Sequence, residues 1–298
     1  MPRNISLNLR SVLRWFGSGL ALIGIAFITW RLYEHGGDLD LSPITSANWM
    51  LLIALTVLYG VDNLLLALSW WHVLLQLGGQ VTRYWSIKTY SVSQLAKYVP
   101  GNIFHFAGRQ AMGMAADVPG RLLINSTCWE LGLVATAGTL NGWLVLPLLV
   151  PAFSSLISLM LFLSTGWLIA YLIRRIIGPQ VATAFIYQTL FLAISGGIFV
   201  SVFAMITNSS ALQIQTCLLI GSAYIVAWLV GIVTPGAPAG VGIREFILLW
   251  LLKGMVTDAD LLITVLLGRL VTVVGDLLFF MVAFLIPQRR RTKGNRDE

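Results

Sequence analysis

Two arginines carry the clearest chemistry in this chain. Arg109 and Arg244 each follow a Pro-Gly dipeptide at the same interval, in the pattern Pro-Gly-x7-Arg, with the two prolines (Pro100 and Pro235) 135 residues apart. A guanidinium matches phosphate or carboxylate in a bidentate way. Each Pro-Gly interrupts an apolar stretch, so a helix restarting after it would aim free N–H groups and a positive dipole end at the break, which favours an anion. Around the first break stand Lys97, Pro100, Gly101 and Asn102. Around the second stand Pro235, Gly236, Gly240, Gly242 and Glu245. Together with the two arginines these are the candidate substrate-binding positions. The plainer reading has Pro-Gly as a surface loop and the arginines reaching to the nearest interface. Glu245 would serve as a gate or as a local counter-charge to Arg244.

Four more charges, Asp62, Glu130, Arg269 and Asp276, fall inside long apolar runs. A charge at the bilayer centre costs about 2.5–3.5 kcal/mol on insertion scales, so each must face inward and find a partner. Glu130 and Arg269 hold corresponding places in the two halves and are expected to pair with each other. Asp62 and Asp276 suit proton coupling or hydrogen bonding to neighbouring helices. His105, between Phe104 and Phe106, reads as a packed histidine, and Cys128 and Cys217 as buried free thiols.

The elements that must position these groups belong to a membrane. Hydrophobic residues are 57% of the chain and charged residues 10%, with mean hydropathy +0.84. A soluble domain carries about 25% charge. Apolar runs at 15–30, 49–75, 122–140, 152–173, 182–206 and 261–286 are long enough to approach or exceed a span. Residues 84–114 and 212–252 are the broken stretches. The 15 residues 84–98 cover only about 22 Å as helix, short of the roughly 30 Å core. Pro100 ends the helix and restricts Val99; Gly101 permits a reversal, and Asn102 is a good cap for a restart at Ile103. Residues 212–233 are long enough to cross alone, which makes the second hairpin the weaker of the two.

The fold expected is therefore all-α and polytopic: about six full spans plus two re-entrant helical hairpins in an inverted repeat. It forms a single membrane domain, with pseudo-repeats at about 13–150 and 152–286 and a basic tail at 287–298. Residues 141–151 are expected to be a short outer connection. Of 19 Lys and Arg, 15 fall on one side in this topology; the exceptions are Arg31, Arg244, Lys253 and Arg269. By the positive-inside rule that side, with both termini, is cytoplasmic. The charge of +7 is thus a topology signal and not one for nucleic acid. Inverted repeats with broken helices at their interface are a transporter signature. No phosphate-binding loop, metal cluster or serine nucleophile elbow is present in the sequence, so neither an enzyme nor a cofactor or metal site is expected.

The stretch Lys97-Tyr98-Val99-Pro100-Gly101-Asn102-Ile103, running on to Gly108-Arg109, and Pro235-Gly236, running on to Gly242-Ile243-Arg244-Glu245, resemble the two signatures of the lysylphosphatidylglycerol synthase transmembrane family. That is the flippase-type membrane region of bacterial multiple peptide resistance factors, found also in stand-alone inner-membrane proteins. The resemblance runs over about 13–286. It implies movement of a phospholipid or lipid-linked anionic substrate between leaflets of the bacterial inner membrane. It equally implies a non-catalytic place beside a membrane glycosyltransferase or lipid synthase in envelope assembly. This chain ends at Glu298 without the soluble aminoacyl-transferase domain of the synthases, so aminoacylation is not expected.

Overall fold

The computed structural model describes residues 46–99, 103–150, 153–207, 212–234, 242–255 and 257–285. The expected first span at 15–30, the residues Pro100, Gly101, Asn102, Pro235, Gly236 and Gly240, and the basic tail lie outside them. The described chain is helical, without a strand. In order it forms α1 (Ser46–Gln76), α2 (Arg83–Gln94), α3 (Phe104–Ala115), α4 (Gly120–Leu140) and α5 (Gly142–Leu149). Then come α6 (Ser155–Ile176), α7 (Pro179–Ile206), α8 (Ile214–Val233), α9 (Ile243–Leu251) and α10 (Asp258–Leu285). Six stretches among the described residues are long and apolar enough to cross a bilayer: α1, α4 with α5, α6, α7, α8 and α10. The protein is a multi-pass membrane protein. The helices α2, α3 and α9, of 12, 12 and 9 residues, are too short to cross at 1.5 Å per residue.

Local chemistry explains the ends. Thr82 caps α2 by accepting a hydrogen bond from the Trp85 N–H at 3.2 Å. The helix then tightens into a 3-10 turn at Leu95–Tyr98, and Val99 becomes extended (φ −68°, ψ 131°), as a residue before proline must. Gly178 adopts φ 143°, and Pro179 opens α7 at the position where a missing N–H costs nothing.

Two expectations are corrected. Residues 142–149, expected within a short outer connection, are instead a helix that follows α4 directly, so that Gly120–Leu149 is one apolar stretch of 30 residues. Its side chains are almost wholly apolar, and Pro147 lies late in the segment, where its missing N–H removes a single bond. Cys128 is not buried but exposed on α4.

The bundle is organised on α1 and α7, which run antiparallel. Along α1 in rising order, Asp62 meets Ser195, Ser69 donates to the Ala184 carbonyl at 3.1 Å, His72 bonds Gln180, and Gln76 donates to the Ile177 carbonyl at 3.0 Å. Hence the end of α1 lies beside the start of α7. The start of α4 lies there too. Trp70 donates to Ser126 at 3.1 Å, and Gly79 sits against Leu122. At the opposite end, Phe199 of α7 packs on Gly268 of α10.

Small residues let these helices touch closely. A Cβ on Gly275 of α10 would lie 2.8 Å from the Tyr59 ring and 3.0 Å from the Thr56 carbonyl oxygen of α1. Between α7 and α8, a Cβ on Gly196 would lie 3.2 Å from the Gly221 carbonyl oxygen. Replacing Gly275 with leucine is therefore expected to wedge α1 from α10 and cost about 1–3 kcal/mol. Melting of the detergent-solubilised protein checks it: Gly275→Leu lowers the midpoint, while Gly132→Leu, facing open space, does not.

Candidate functional site

The first broken element brings Arg109 to the middle of a buried cluster. Arg109 sits on α3, whose close approach to α4 depends on Gly113: a Cβ there would lie 2.6 Å from Leu123. The arginine is 1% exposed. Its Nη1 pairs with Glu130 Oε2 on α4 at 2.7 Å. The other carboxylate oxygen of Glu130 accepts from the Tyr90 hydroxyl of α2 at 2.9 Å. The guanidinium carbon lies 4.4 Å from the Tyr90 ring centre, 5.1 Å from Trp70 and 5.5 Å from Phe106. Aromatic faces attract a cation, most strongly where water is excluded. Arg109 Nε and Nη2 are buried and have no hydrogen-bond partner in the protein. Glu130 and the three rings thus hold the guanidinium in place and leave two of its nitrogens without an acceptor.

The second broken element carries related chemistry. Arg244 is buried on α9, its guanidinium carbon 5.6 Å from the Tyr224 ring of α8. In both elements an arginine of the short helix after the break lies against a tyrosine of the helix before it. Glu245 Oε1 pairs with Arg269 Nη2 of α10 at 2.6 Å. Its Oε2 accepts from the Gly242 N–H at 2.7 Å, where Gly242 takes φ 86°. The carboxylate thereby occupies the N-terminus of α9, where an anion from outside would otherwise sit.

The expected Glu130–Arg269 pair between the halves does not form. Each charge pairs within its own half, Glu130 with Arg109 and Arg269 with Glu245. In both halves the bond joins the short helix after the break to the long helix that follows it, with the signs exchanged. The short turn between them brings the two together before any contact across the bundle is needed. Nor do Arg109 and Arg244 reach out to an interface; both are buried.

A third ion pair does cross the halves. Lys97 Nζ lies 2.7 Å from Asp276 Oδ2 on α10, and the Tyr98 hydroxyl donates to the same oxygen. This fixes the chain immediately ahead of the first break. Asp62 accepts from Ser195 at 3.2 Å across the α1–α7 seam. His105 is half-buried, with its ring 3.8 Å from Phe106. No group of three potential metal ligands occurs among the described residues.

Sequence reading missed Tyr90, Tyr98, Trp70, Tyr224 and Ser195. No spacing rule pointed to them: Tyr90 lies in α2 and Tyr98 in the 3-10 turn after it, and their hydroxyls meet carboxylates of different helices, Glu130 and Asp276. Comparison of the chain with family models, with curated proteins and with solved structures gives no match.

The buried pair yields a stability prediction. Glu130→Ala leaves Arg109 charged and unpartnered, at an expected cost of about 3–5 kcal/mol. The double replacement Arg109→Met with Glu130→Met removes both charges and is expected to melt higher than the Glu130→Ala protein. Thermal unfolding in detergent measures both; a Glu130→Ala protein as stable as the parent contradicts the pairing.

Proposed function

We propose that the chain is a transporter or flippase of the bacterial inner membrane. Its substrate is an anionic lipid or a lipid-linked envelope precursor of the polyprenyl-phosphate type, and both termini are cytoplasmic. The observation that carries the reading is Arg109. It is a cation buried within a membrane bundle, clamped by Glu130 and aromatic rings, with Nε and Nη2 unclaimed. Holding a charge there costs several kcal/mol. A passing phosphate would complete its hydrogen bonds.

The reading includes two re-entrant hairpins in an inverted repeat, α2–α3 and α8–α9, and the packing supports it. The start of α2 follows the end of α1, with Trp85 stacked on Trp70. The end of α3 precedes α4, whose start is bonded to that same part of α1. Both outer ends of α2–α3 thus belong to one end of the bundle. The start of α8 follows the end of α7, and the end of α9 precedes α10, which meets α7 near that end. Because α1 and α7 are antiparallel, the second segment opens to the other end. Between them, the Arg109–Tyr90 and Arg244–Tyr224 pairs would offer a headgroup two stations. Lys97, bonded to Asp276, stands at the first tip. Rocking of one half against the other would expose the stations alternately.

Loss of a charge-assisted hydrogen bond is worth about 1.5–3 kcal/mol, roughly ten- to a hundredfold in rate. Fluorescent phosphatidylglycerol in proteoliposomes measures it, by the rate at which inner-leaflet label becomes accessible to an outside quencher. The parent protein is expected to speed exchange. Arg109→Gln and Arg244→Gln, folded by elution profile and circular dichroism, are expected to slow it at least tenfold. Equal rates remove the arginines from the mechanism.

A further inference from the structure

A groove lies away from the broken elements, between α6 and α7. These helices form a hairpin joined by Ile177 and Gly178. The turn is pinned to α1 by Gln76, which donates to the Ile177 carbonyl at 3.0 Å. Above the turn the helices diverge around a groove of about 420 Å³, open to the side. That is within the roughly 300–1,000 Å³ of ordinary ligand sites. One wall is a single face of α6, with Trp167, Tyr171 and Arg174; the other is α7, with Thr183 and Ile186. The Trp167 and Tyr171 rings are stacked, 5.6 Å apart and 12° from parallel. Arg174 lies about 10 Å along the axis from Trp167, in the last turn of α6. It is exposed and forms no ion pair with an acidic side chain among the described residues. Apart from this seam α6 is almost wholly outward-facing, with Ser158 its one buried residue.

We infer that this groove is a fixed binding site for one anionic phospholipid of the leaflet at which α6 ends. The acyl chain lies along Trp167, Ile186 and the α7 wall. Tyr171, one turn along the helix from Arg174, sits at the depth of the ester groups, where amphipathic rings are favoured, and Trp167 stacks on it one turn deeper, against the acyl chain. The phosphate meets Arg174, at the helix C-terminus. Three properties commit the site to a phospholipid: an apolar trough between two helices long enough to span, a stacked aromatic pair within two turns of its mouth, and at that mouth a cation without an acidic partner among the described residues. A soluble phosphate would use only the last. Basic pockets between spans are where anionic headgroups are held. The site is separate from Arg109 and stands or falls without the transport reading.

The test is native mass spectrometry of the full chain, released from detergent micelles holding equal phosphatidylglycerol and phosphatidylcholine of identical acyl chains. The parent protein is expected to retain one phosphatidylglycerol in preference to phosphatidylcholine. Arg174→Gln is expected to lower that preference about fivefold, as one basic residue at an anionic surface does. Arg175→Gln, whose side chain does not line the groove, leaves it unchanged. Thr183→Trp, and independently Ala170→Phe, fill the groove and are expected to abolish retention of either lipid. Arg109→Gln keeps the groove lipid whatever it does to flipping, and added inorganic phosphate does not displace it. Equal retention of the two lipids by the parent, or undiminished phosphatidylglycerol in both groove-filling variants, overturns the assignment.

Discussion

A charged or backbone polar group inside hydrocarbon has to be paired within the protein, and most of this fold follows from that demand. The chain places Arg109, Glu130, Asp276, Arg244 and Arg269 inside or between apolar segments. Arg109–Glu130 ties α3 to α4, Glu245–Arg269 ties α9 to α10, and Lys97–Asp276 ties the end of the α2 segment to α10. Each bond involves a short element that could not cross alone. The short helices have little length over which to bury apolar surface, so directional bonds to longer neighbours set their position. Burying these ions need not raise stability over an apolar core. Their effect is to fix where the short helices sit against their long neighbours.

The long helices supply the frame. With α1 and α7 antiparallel and side by side, the elements that follow each of them are carried to opposite ends of the bundle. Glycines at 60, 275, 196 and 221 permit the close contacts on either side of this pair. The two broken segments then repeat a chemical arrangement, arginine against the tyrosine of the preceding helix. They differ in one respect. Around Arg109 the carboxylate comes from the long helix, and two guanidinium nitrogens remain without acceptors. In the second segment Glu245 sits on the short helix itself and satisfies its N-terminus.

Helix positions were legible in the sequence because the signals are local. Apolar run length set α1, α6, α7 and α10 to within a few residues, and the helical residues ahead of the two Pro-Gly dipeptides end at Tyr98 and Val233. The 142–149 helix was missed because Pro147 and Gly142 look like loop residues, although the stretch between them is strongly apolar. Partners were harder to read. Glu130 is complementary to either Arg109 or Arg269, and charge sign alone does not choose; adjacency of α3 and α4 does, and only the packed chain supplies it. Asp62 finds Ser195, one serine among many, for the same reason. The aromatic surroundings of Arg109 come from three separate helices, α1, α2 and α3, which no spacing rule brings together.

The central claim is that both broken segments return to the side from which they start, on opposite faces of the membrane. Cysteine accessibility tests it directly. In a Cys128→Ser, Cys217→Ser background, single cysteines replace Gln80 and Ala116, flanking α2–α3, and Gln213 and Lys253, flanking α8–α9. Spheroplasts are then treated with a membrane-impermeant maleimide. The account predicts that positions 213 and 253 label in intact spheroplasts, whereas 80 and 116 label only after permeabilisation. Labelling of the two flanks of either segment from different sides, or of all four positions from one side, would contradict it.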